Sequence, residues 1–144
     1  MDLDLSARRS RCPMNHAIEI LGDQWTLLVV RDMVFHHRRS FSELAAMPEG
    51  IASNLLADRL RRLEEAGIVT KDPDPDDGRR RVYTLTRYGR GLIPMLLEMM
   101  VWSRDHTADV DVTRTVIKKI KDEPKAARQE IERRLDEAEE ERSA

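Results

Sequence analysis

Apolar residues recur at three- and four-residue intervals through the first third of the chain, which is the spacing of helices that turn one face to a core. The first pattern opens at Pro13 and places Ile18 and Leu21 on one face. It stops at Gly22, a residue suited to a helix C-terminus, and Asp23 can cap the helix that follows. The core-facing positions of this second helix are Trp25, Leu28, Val29 and Met33.

A short helix and a longer one come next, separated by a turn signal. The stretch Ser40-Phe41-Ser42-Glu43-Leu44 starts the short helix, and Pro48-Glu49-Gly50 ends it. The longer helix is predicted from about Ser53 to Ala66, with Gly67 as its terminator. Its apolar stripe consists of Leu56, Leu60 and Leu63. Two helices joined by a glycine-containing turn form a helix-turn-helix.

Two short β patterns follow the helix-turn-helix directly. The pattern predicts one strand at Ile68-Val69-Thr70 and its antiparallel partner at residues 82–86. The segment between them is rich in Pro, Asp and Gly, as a hairpin tip requires. The predicted fold class is therefore mainly α with a small two-stranded β-hairpin wing, a winged helix-turn-helix.

Beyond the hairpin the chain is helical and increasingly charged. Thr86 is expected to cap a long helix that Pro94 kinks or breaks. Apolar content falls after Ala108, and after Pro124 the chain is mostly charged. Thin apolar stripes remain at Val116, Ile117 and Ile120, and then at Ile131, Leu135 and Ala138. Residues 107–144 are expected to be a charged helical extension, and residues 1–11 a flexible basic arm.

Composition limits the function classes. The 144 residues carry 36% charged side chains, a net charge of −2 and one cysteine. Anion binding must therefore come from local clusters, and an intramolecular disulfide is excluded. No apolar run reaches transmembrane length, so no membrane partner is expected, and the sequence predicts a cytoplasmic protein associated with the nucleoid.

One face of the helix predicted at 53–66 is a candidate DNA-reading surface. If its leucines are buried, a set of small and polar residues faces outward: Ser53, Asn54, Ala57, Asp58 and Arg61. The second helix of a helix-turn-helix places its N-terminal residues against base edges in the major groove. Asn54 can pair with adenine, and Arg61 with guanine or phosphate. A solvated face of an ordinary core helix remains the alternative.

The hairpin tip adds a second cationic element. Arg79, Arg80 and Arg81 follow three aspartates, and like charges this close repel unless an anion meets them. Strand alternation would put Arg79 and Arg81 on one side and Arg80 on the other. One or two of these arginines, rather than all three, are expected to contact a flanking phosphate or the minor groove, with Asp74, Asp76 and Asp77 as partners when DNA is absent. A solubilising turn with internal ion pairs is the alternative.

Three stretches of the chain resemble the HxlR-type winged helix-turn-helix regulators, which are related to the MarR type. They are CPMNHAIEILGDQWTLLVVRDM at 12–33, RSFSELAAMPEGIASNLLADRLRRLEEAGIV at 39–69 and RRRVYTLTRYGRGLIPMLLEMMVW at 79–102. The resemblance spans about residues 12–106, which it identifies as one winged helix-turn-helix domain with dimerisation helices. It implies a homodimer built by the N-terminal helix and the long helix after the wing. It also implies binding to a pseudo-palindromic double-stranded DNA operator, as a repressor or an activator.

The wing and the recognition helix depart from that family pattern. The Asp-Asp-Gly-Arg-Arg-Arg-Val-Tyr wing is closer to a MarR-type wing than to the proline-rich wing of many HxlR-type members. Ala52 stands where many members have a serine, so capping of the recognition helix is expected to shift to Ser53.

Cys12 is the candidate for redox sensing. It precedes a helix N-terminus, and Arg9 and Arg11 lie close in sequence, so both features favour the thiolate. The resemblance implies the same role, because some HxlR-type members sense oxidants or electrophiles with a cysteine at this place. An oxidant or small molecule is therefore an expected effector. An inert thiol near the dimer interface is the alternative.

Other chemistry finds little support in the sequence. Cys12 and His16 have helical spacing, but two ligands do not make a tetrahedral metal site. Nothing recognisable orients them as a catalytic pair, so no cofactor, metal or enzymatic activity is expected. The predicted function is sequence-specific transcriptional regulation. The alternative is a protein-interaction module built on a winged helix without a specific operator.

Overall fold

The structure is a computed structural model that describes residues 9–143. The element order is α1 (Pro13–Leu21), α2 (Thr26–His36), α3 (Phe41–Ala45), α4 (Ser53–Glu65), β1 (Val69–Pro73), β2 (Arg81–Leu85), α5 (Arg87–Arg90), α6 (Ile93–His106), α7 (Arg114–Asp122) and α8 (Pro124–Ser143). The predicted fold class is confirmed: the protein is mainly helical with one two-stranded antiparallel sheet. Most of the predicted N-terminal arm, residues 1–8, lies outside the described residues.

The chain divides into two units, one up to Thr86 and one from Arg87 onward. The first unit contains the helix-turn-helix and the hairpin. Its core is mainly aliphatic, and the most buried apolar side chains are Val29, Val30, Val34, Leu44, Leu56, Leu60, Leu63, Ile68 and Val69. The leucine stripe of α4 is therefore buried as the sequence predicted, which fixes the opposite face of this helix outward.

The first helix ends as predicted, but its apolar face is only partly buried. The Gly22 N–H donates to the Ile18 carbonyl at 2.6 Å, and a side chain at Gly22 would collide with that carbonyl oxygen. Leu21 is buried, whereas Ile18 is 53% exposed, so the expected shared core face does not form in this chain. Asp23 Oδ1 accepts hydrogen bonds from the N–H groups of Trp25 at 2.8 Å and Thr26 at 3.0 Å, which stabilises the start of α2.

The hairpin is longer than the sequence predicted. β1 and β2 pair antiparallel, with Val69 opposite Leu85 and Pro73 opposite Arg81. The predicted β1 is too short because this strand is buried only at Val69 and its remaining positions are exposed. A strand with both faces in solvent lacks the alternating pattern by which the sequence reveals strands.

The second unit consists of helices α5 to α8. The helix predicted after the hairpin is interrupted, and Pro94 lies in the first turn of α6, where a missing N–H costs nothing. α7 and α8 bury Ile117, Ile120, Ala127 and Leu135, while Val116 is exposed rather than part of the apolar stripe. The Arg90 guanidinium pairs with Asp136 at 2.7 Å and with Glu139 at 3.1 Å, which ties α8 to α5. Among residues 9–143, no helix combines the length and the apolar character needed to cross a bilayer.

Candidate nucleic-acid interface

α3 begins with a reciprocal capping box. The Ser40 hydroxyl accepts the Glu43 N–H at 3.2 Å, and the Glu43 carboxylate accepts the Ser40 N–H at 3.3 Å. The same carboxylate accepts the Arg39 N–H at 2.7 Å. Three backbone donors at the start of a five-residue helix are thus satisfied, which stabilises a helix too short to form alone.

The turn between α3 and α4 sets the direction of the recognition helix. Gly50 has φ of 74°, the left-handed conformation that glycine adopts without strain, and its N–H donates to the Met47 carbonyl at 3.0 Å. Met47 and Ile51 are buried on either side of it. The N-cap of α4 is Ala52, without a side-chain hydrogen bond, and Ser53 is the first helical residue. The expected shift of capping to Ser53 is therefore wrong, and no side chain caps the first turn of α4.

The outward face of α4 carries the residues that the sequence assigned to DNA. Ser53, Asn54, Ala57 and Arg61 are exposed, and Asp58 is half-buried. Leu56 and Leu60, on the opposite face, are 0% and 1% exposed. The structure therefore brings the five candidates together on the solvent side of a single helix.

Asp58 lies at the centre of an ion-pair cluster that the sequence analysis missed. Its carboxylate contacts the guanidinium groups of Arg59 at 2.5 Å, Arg61 at 2.8 Å and Arg62 at 3.0 Å. Arg61 also pairs with Glu65 at 2.8 Å. The hydrogen bond from Arg61, together with the neighbouring positive charges, holds the pKa of the Asp58 carboxyl below its ordinary value. Spacings of three and four residues on a helix were the available signal.

A second missed contact fixes the position of α4 relative to α2. Arg59, which has a side chain only 14% exposed, donates from Nε to Asp23 Oδ1 at 3.0 Å. Because that carboxylate also accepts the N–H groups of Trp25 and Thr26, one acidic group joins the start of α2 to the middle of α4. This contact spans 36 positions in sequence and leaves no local pattern.

The wing tip presents its arginines to solvent. Arg79 and Arg80 lie in the loop, and Arg81 is the first residue of β2. The predicted alternation of sides therefore does not apply to Arg79 and Arg80, which precede the strand. Arg79 pairs with Asp77 at 3.7 Å, whereas Arg80 and Arg81 have no acidic partner within residues 9–143.

Arg39 attaches the wing to the start of α3. Its carbonyl accepts the Tyr83 N–H at 2.8 Å, and its guanidinium donates to the Tyr83 carbonyl at 3.3 Å and to the Thr84 hydroxyl. Ser40 and Val82 form an isolated antiparallel bridge beside it. These contacts hold β2 against the helix-turn-helix, so that wing and recognition helix belong to the same unit.

Cys12 is exposed and stands at the N-cap of α1. One of the two arginines expected to favour its thiolate is engaged elsewhere: Arg9 pairs with Glu19 at 3.1 Å and donates to Asn15 at 3.0 Å. Arg11 has no acidic partner in the part of the chain that the structure describes. In the same part, no cluster of three or more His, Cys, Asp or Glu residues is arranged to hold a metal ion.

A family model supplies the deciding observation. The model of the HxlR-like helix-turn-helix matches residues 20–111, which include α2, the helix-turn-helix, the wing and α6. The chain belongs to the HxlR-like helix-turn-helix family. Members of this family are DNA-binding transcriptional regulators rather than enzymes.

Individual HTH-type transcriptional regulators are similar to this chain. The HTH-type transcriptional regulator sll1512 of Synechocystis sp. is 38% identical over 88 residues, which are 61% of this chain and 64% of the relative. The chain thus spans somewhat less than two thirds of that relative's length. The regulator YodB of Bacillus subtilis is 32% identical over 93 residues, covering 64% of this chain and 82% of YodB.

Solved structures of transcriptional regulators share the fold. The transcription factor PA1607 superimposes with a TM-score of 0.66 at 34% identity, covering 76% of each chain. The reduced form of YodB superimposes with a TM-score of 0.56 at 30% identity, covering 71% of this chain and 100% of YodB. YodB has also been solved in a quinone-bound form, which has a TM-score of 0.55 at 29% identity and covers 65% of this chain and 99% of YodB.

Proposed function

We propose that this HxlR-like regulator binds a pseudo-palindromic operator as a homodimer, with α4 of each protomer in the major groove, and that it acts on the nucleoid in the cytoplasm. The observation that carries the proposal is the outward polar face at the start of α4. This face exists because the leucine stripe of the helix is buried at 0–1% exposure. In a helix-turn-helix, the second helix packs against the core with one face and contacts base edges with the N-terminal residues of its exposed face.

The N-terminal turns of α4 supply the chemistry for sequence reading. The Asn54 amide can form two hydrogen bonds with adenine, donating from Nδ2 to N7 and accepting from the N6 amino group at Oδ1, and Arg61 can donate to guanine or to phosphate. Ser53 and Ala57 are small, so the helix backbone can approach the bases closely. The first-turn N–H groups lack a side-chain cap, and such amides bind phosphate oxygen well.

The wing supplies a second, sequence-independent contact. Arg80 and Arg81 are exposed and without acidic partners in the described part of the chain, and the weak Arg79–Asp77 pair at 3.7 Å can exchange for a phosphate. Guanidinium groups pair with phosphate through two parallel hydrogen bonds. Because Arg39 fixes the wing to α3, contacts made by the wing orient α4 on the duplex.

Exposed apolar residues support the homodimer. α1 exposes Met14 at 71% and Ile18 at 53%, and α6, in the other unit, exposes Met99 at 45% and Trp102 at 64%. Large apolar side chains on two separate helices are costly to leave in water, and a second copy of the chain would cover them. Two copies related by a twofold axis match the symmetry of a palindromic operator.

The function is tested by replacing Asn54 with alanine. We expect the variant to lose about 1–3 kcal/mol at one base position of each half-site, with little change on random duplex, because the amide reads a base rather than the backbone. Binding selection from randomised duplexes followed by titration measures both quantities. Thr115→Ala, an exposed polar change on α7, is the matched control. A protein-interaction module would have no sequence preference to lose, so unchanged preference contradicts the proposed role.

We also propose that Cys12 makes the regulator responsive to oxidants or electrophiles. The thiol is exposed at the start of α1, and the similar regulator YodB is known in reduced and quinone-bound forms. A quinone would add to the thiolate to give a thioether. An oxidant that takes up two electrons would instead join two Cys12 thiols, and because each chain has one cysteine, that disulfide links two chains.

Cys12→Ser separates this role from DNA binding. We expect the variant to bind DNA with the affinity of the reduced wild-type protein, because Cys12 is outside α4 and the wing. Affinity measured before and after treatment with diamide or a quinone should change in the wild-type protein and stay constant in the variant. A variant that still responds removes Cys12 from the sensing role.

A further inference from the structure

We propose that Asp58 is a specificity-determining residue that suppresses binding of α4 to DNA of the wrong sequence. It does so by holding Arg61 and Arg62 in ion pairs that a phosphate must displace. The proposal rests on the proposed function and deepens it, since it gives the carboxylate on the recognition helix a role opposite to that of the arginines around it.

The geometry makes Asp58 an internal competitor for phosphate. Its two oxygens contact Arg61 at 2.8 Å and Arg62 at 3.0 Å, and both guanidinium groups are otherwise accessible, with side chains 58% exposed. Arg61 is also held from the other side by Glu65 at 2.8 Å. The cationic groups of α4 that face solvent are therefore largely neutralised by groups on the same helix.

Asp58 is held in place more firmly than its partners. Its side chain is 31% exposed, and it also contacts Arg59, which is itself 14% exposed and bonded to Asp23. The carboxylate therefore belongs to a chain of ion pairs that reaches the start of α2. On an approaching duplex, Arg61 and Arg62 can swing toward phosphate, but Asp58 stays at the protein–DNA boundary with a negative charge.

A fixed carboxylate at this boundary discriminates between sequences. A sequence that places phosphates near it without a base donor is disfavoured, because the negative charge of Asp58 opposes binding. An operator offsets this repulsion where a base edge donates a hydrogen bond to the Asp58 carboxylate. In the major groove, the donor that carboxylates accept is the cytosine N4 amino group. The predicted operator therefore carries a cytosine opposite Asp58 in each half-site.

The test compares two variants that remove one negative charge from the same helix. Asp58→Asn releases Arg62 and leaves Arg61 paired only with Glu65, whereas Glu64→Gln releases no arginine, because Glu64 has no ion pair within residues 9–143. Asp58→Glu keeps the charge. Affinity of the full chain for random duplex and for a selected operator is measured at several salt concentrations, with circular dichroism as the check on folding.

We expect Asp58→Asn to bind random duplex about tenfold more tightly than wild type, with a salt slope steeper by about one per released arginine, and to lose preference for its operator. Glu64→Gln should change random binding by less than about twofold, and Asp58→Glu should retain most of the wild-type preference. Equal gains in Asp58→Asn and Glu64→Gln would show a general charge effect and overturn the proposal. If the wild-type chain binds no duplex in a salt-dependent way, the proposed function fails first.

Discussion

Replacing Arg79 and Arg81 together with alanine is expected to weaken binding to operator and to random duplex equally, by about a hundredfold at low salt. Arg79 is 96% exposed, and Arg81 begins β2 with an exposed side chain. A dimer carries two such pairs and loses up to four phosphate contacts. The slope of log affinity against log salt should then become shallower by about three to four units.

The control for this experiment removes the same charge elsewhere. Lys119→Ala combined with Lys125→Ala deletes two exposed cations per chain from the second unit. We expect its salt slope to remain close to that of the wild-type protein. If the wing variant keeps the wild-type slope, or if the lysine variant loses as much affinity, the wing does not contact the backbone in the way we propose.

Arg39 bears on this prediction because it fixes the position of the wing. A flexible hairpin would add charge near the DNA without orienting anything. Here the Arg39 carbonyl and guanidinium bind Tyr83 and Thr84, and Ser40 bridges Val82, so the strand that carries Arg81 is fixed to the start of α3. The charge lost with Arg79 and Arg81 therefore lies at a fixed position relative to the helix-turn-helix.

The helices of the first unit were predictable because their signals are local. The leucine stripe of α4 has the helical period, and Gly67, with φ of 73°, stands directly after its C-terminus. The same locality identified Pro94 as the break before α6. Each of these features depends on residues within one or two helical turns, so the local sequence was sufficient to predict it.

The contacts that could not be predicted from the sequence join residues that are far apart along the chain. The Arg59–Asp23 pair and the contacts of Arg39 with β2 join positions 36 to 45 apart. Burial of Ile18 failed for a related reason, because periodicity identifies an apolar face but not what covers it. The strand alternation assumed for the wing arginines required the strand to begin earlier than it does, and turn geometry decided that boundary.

Asp58 was predicted as a DNA-contacting residue from its position alone. Its outward position on α4 followed from the leucine stripe. The ion pairs with Arg61 and Arg62 add to this prediction the charge that we propose selects against wrong sequences. Spacing of three and four residues was visible beforehand, but the closeness of all three guanidinium groups required side-chain geometry.

Recognition by the proposed dimer depends on its twofold symmetry as well as on the chemistry of α4. One copy of α4 and one wing make too small an interface for a specific site, since single modules bury little surface. Two copies related by a twofold axis place their recognition helices in successive major grooves, about 34 Å or ten base pairs apart. The spacing of protected half-sites on DNA is therefore a direct consequence of the proposed dimer.

Hydroxyl-radical footprinting on the DNA that flanks the coding region tests this claim most directly. We expect two protected segments related by a pseudo-twofold axis, with centres separated by about ten base pairs or a multiple of that distance, and wing contacts protecting the sugars outside them. Protection of a single segment, or uniform weak protection without a dyad, would contradict a homodimer that inserts two copies of α4 into one face of the duplex.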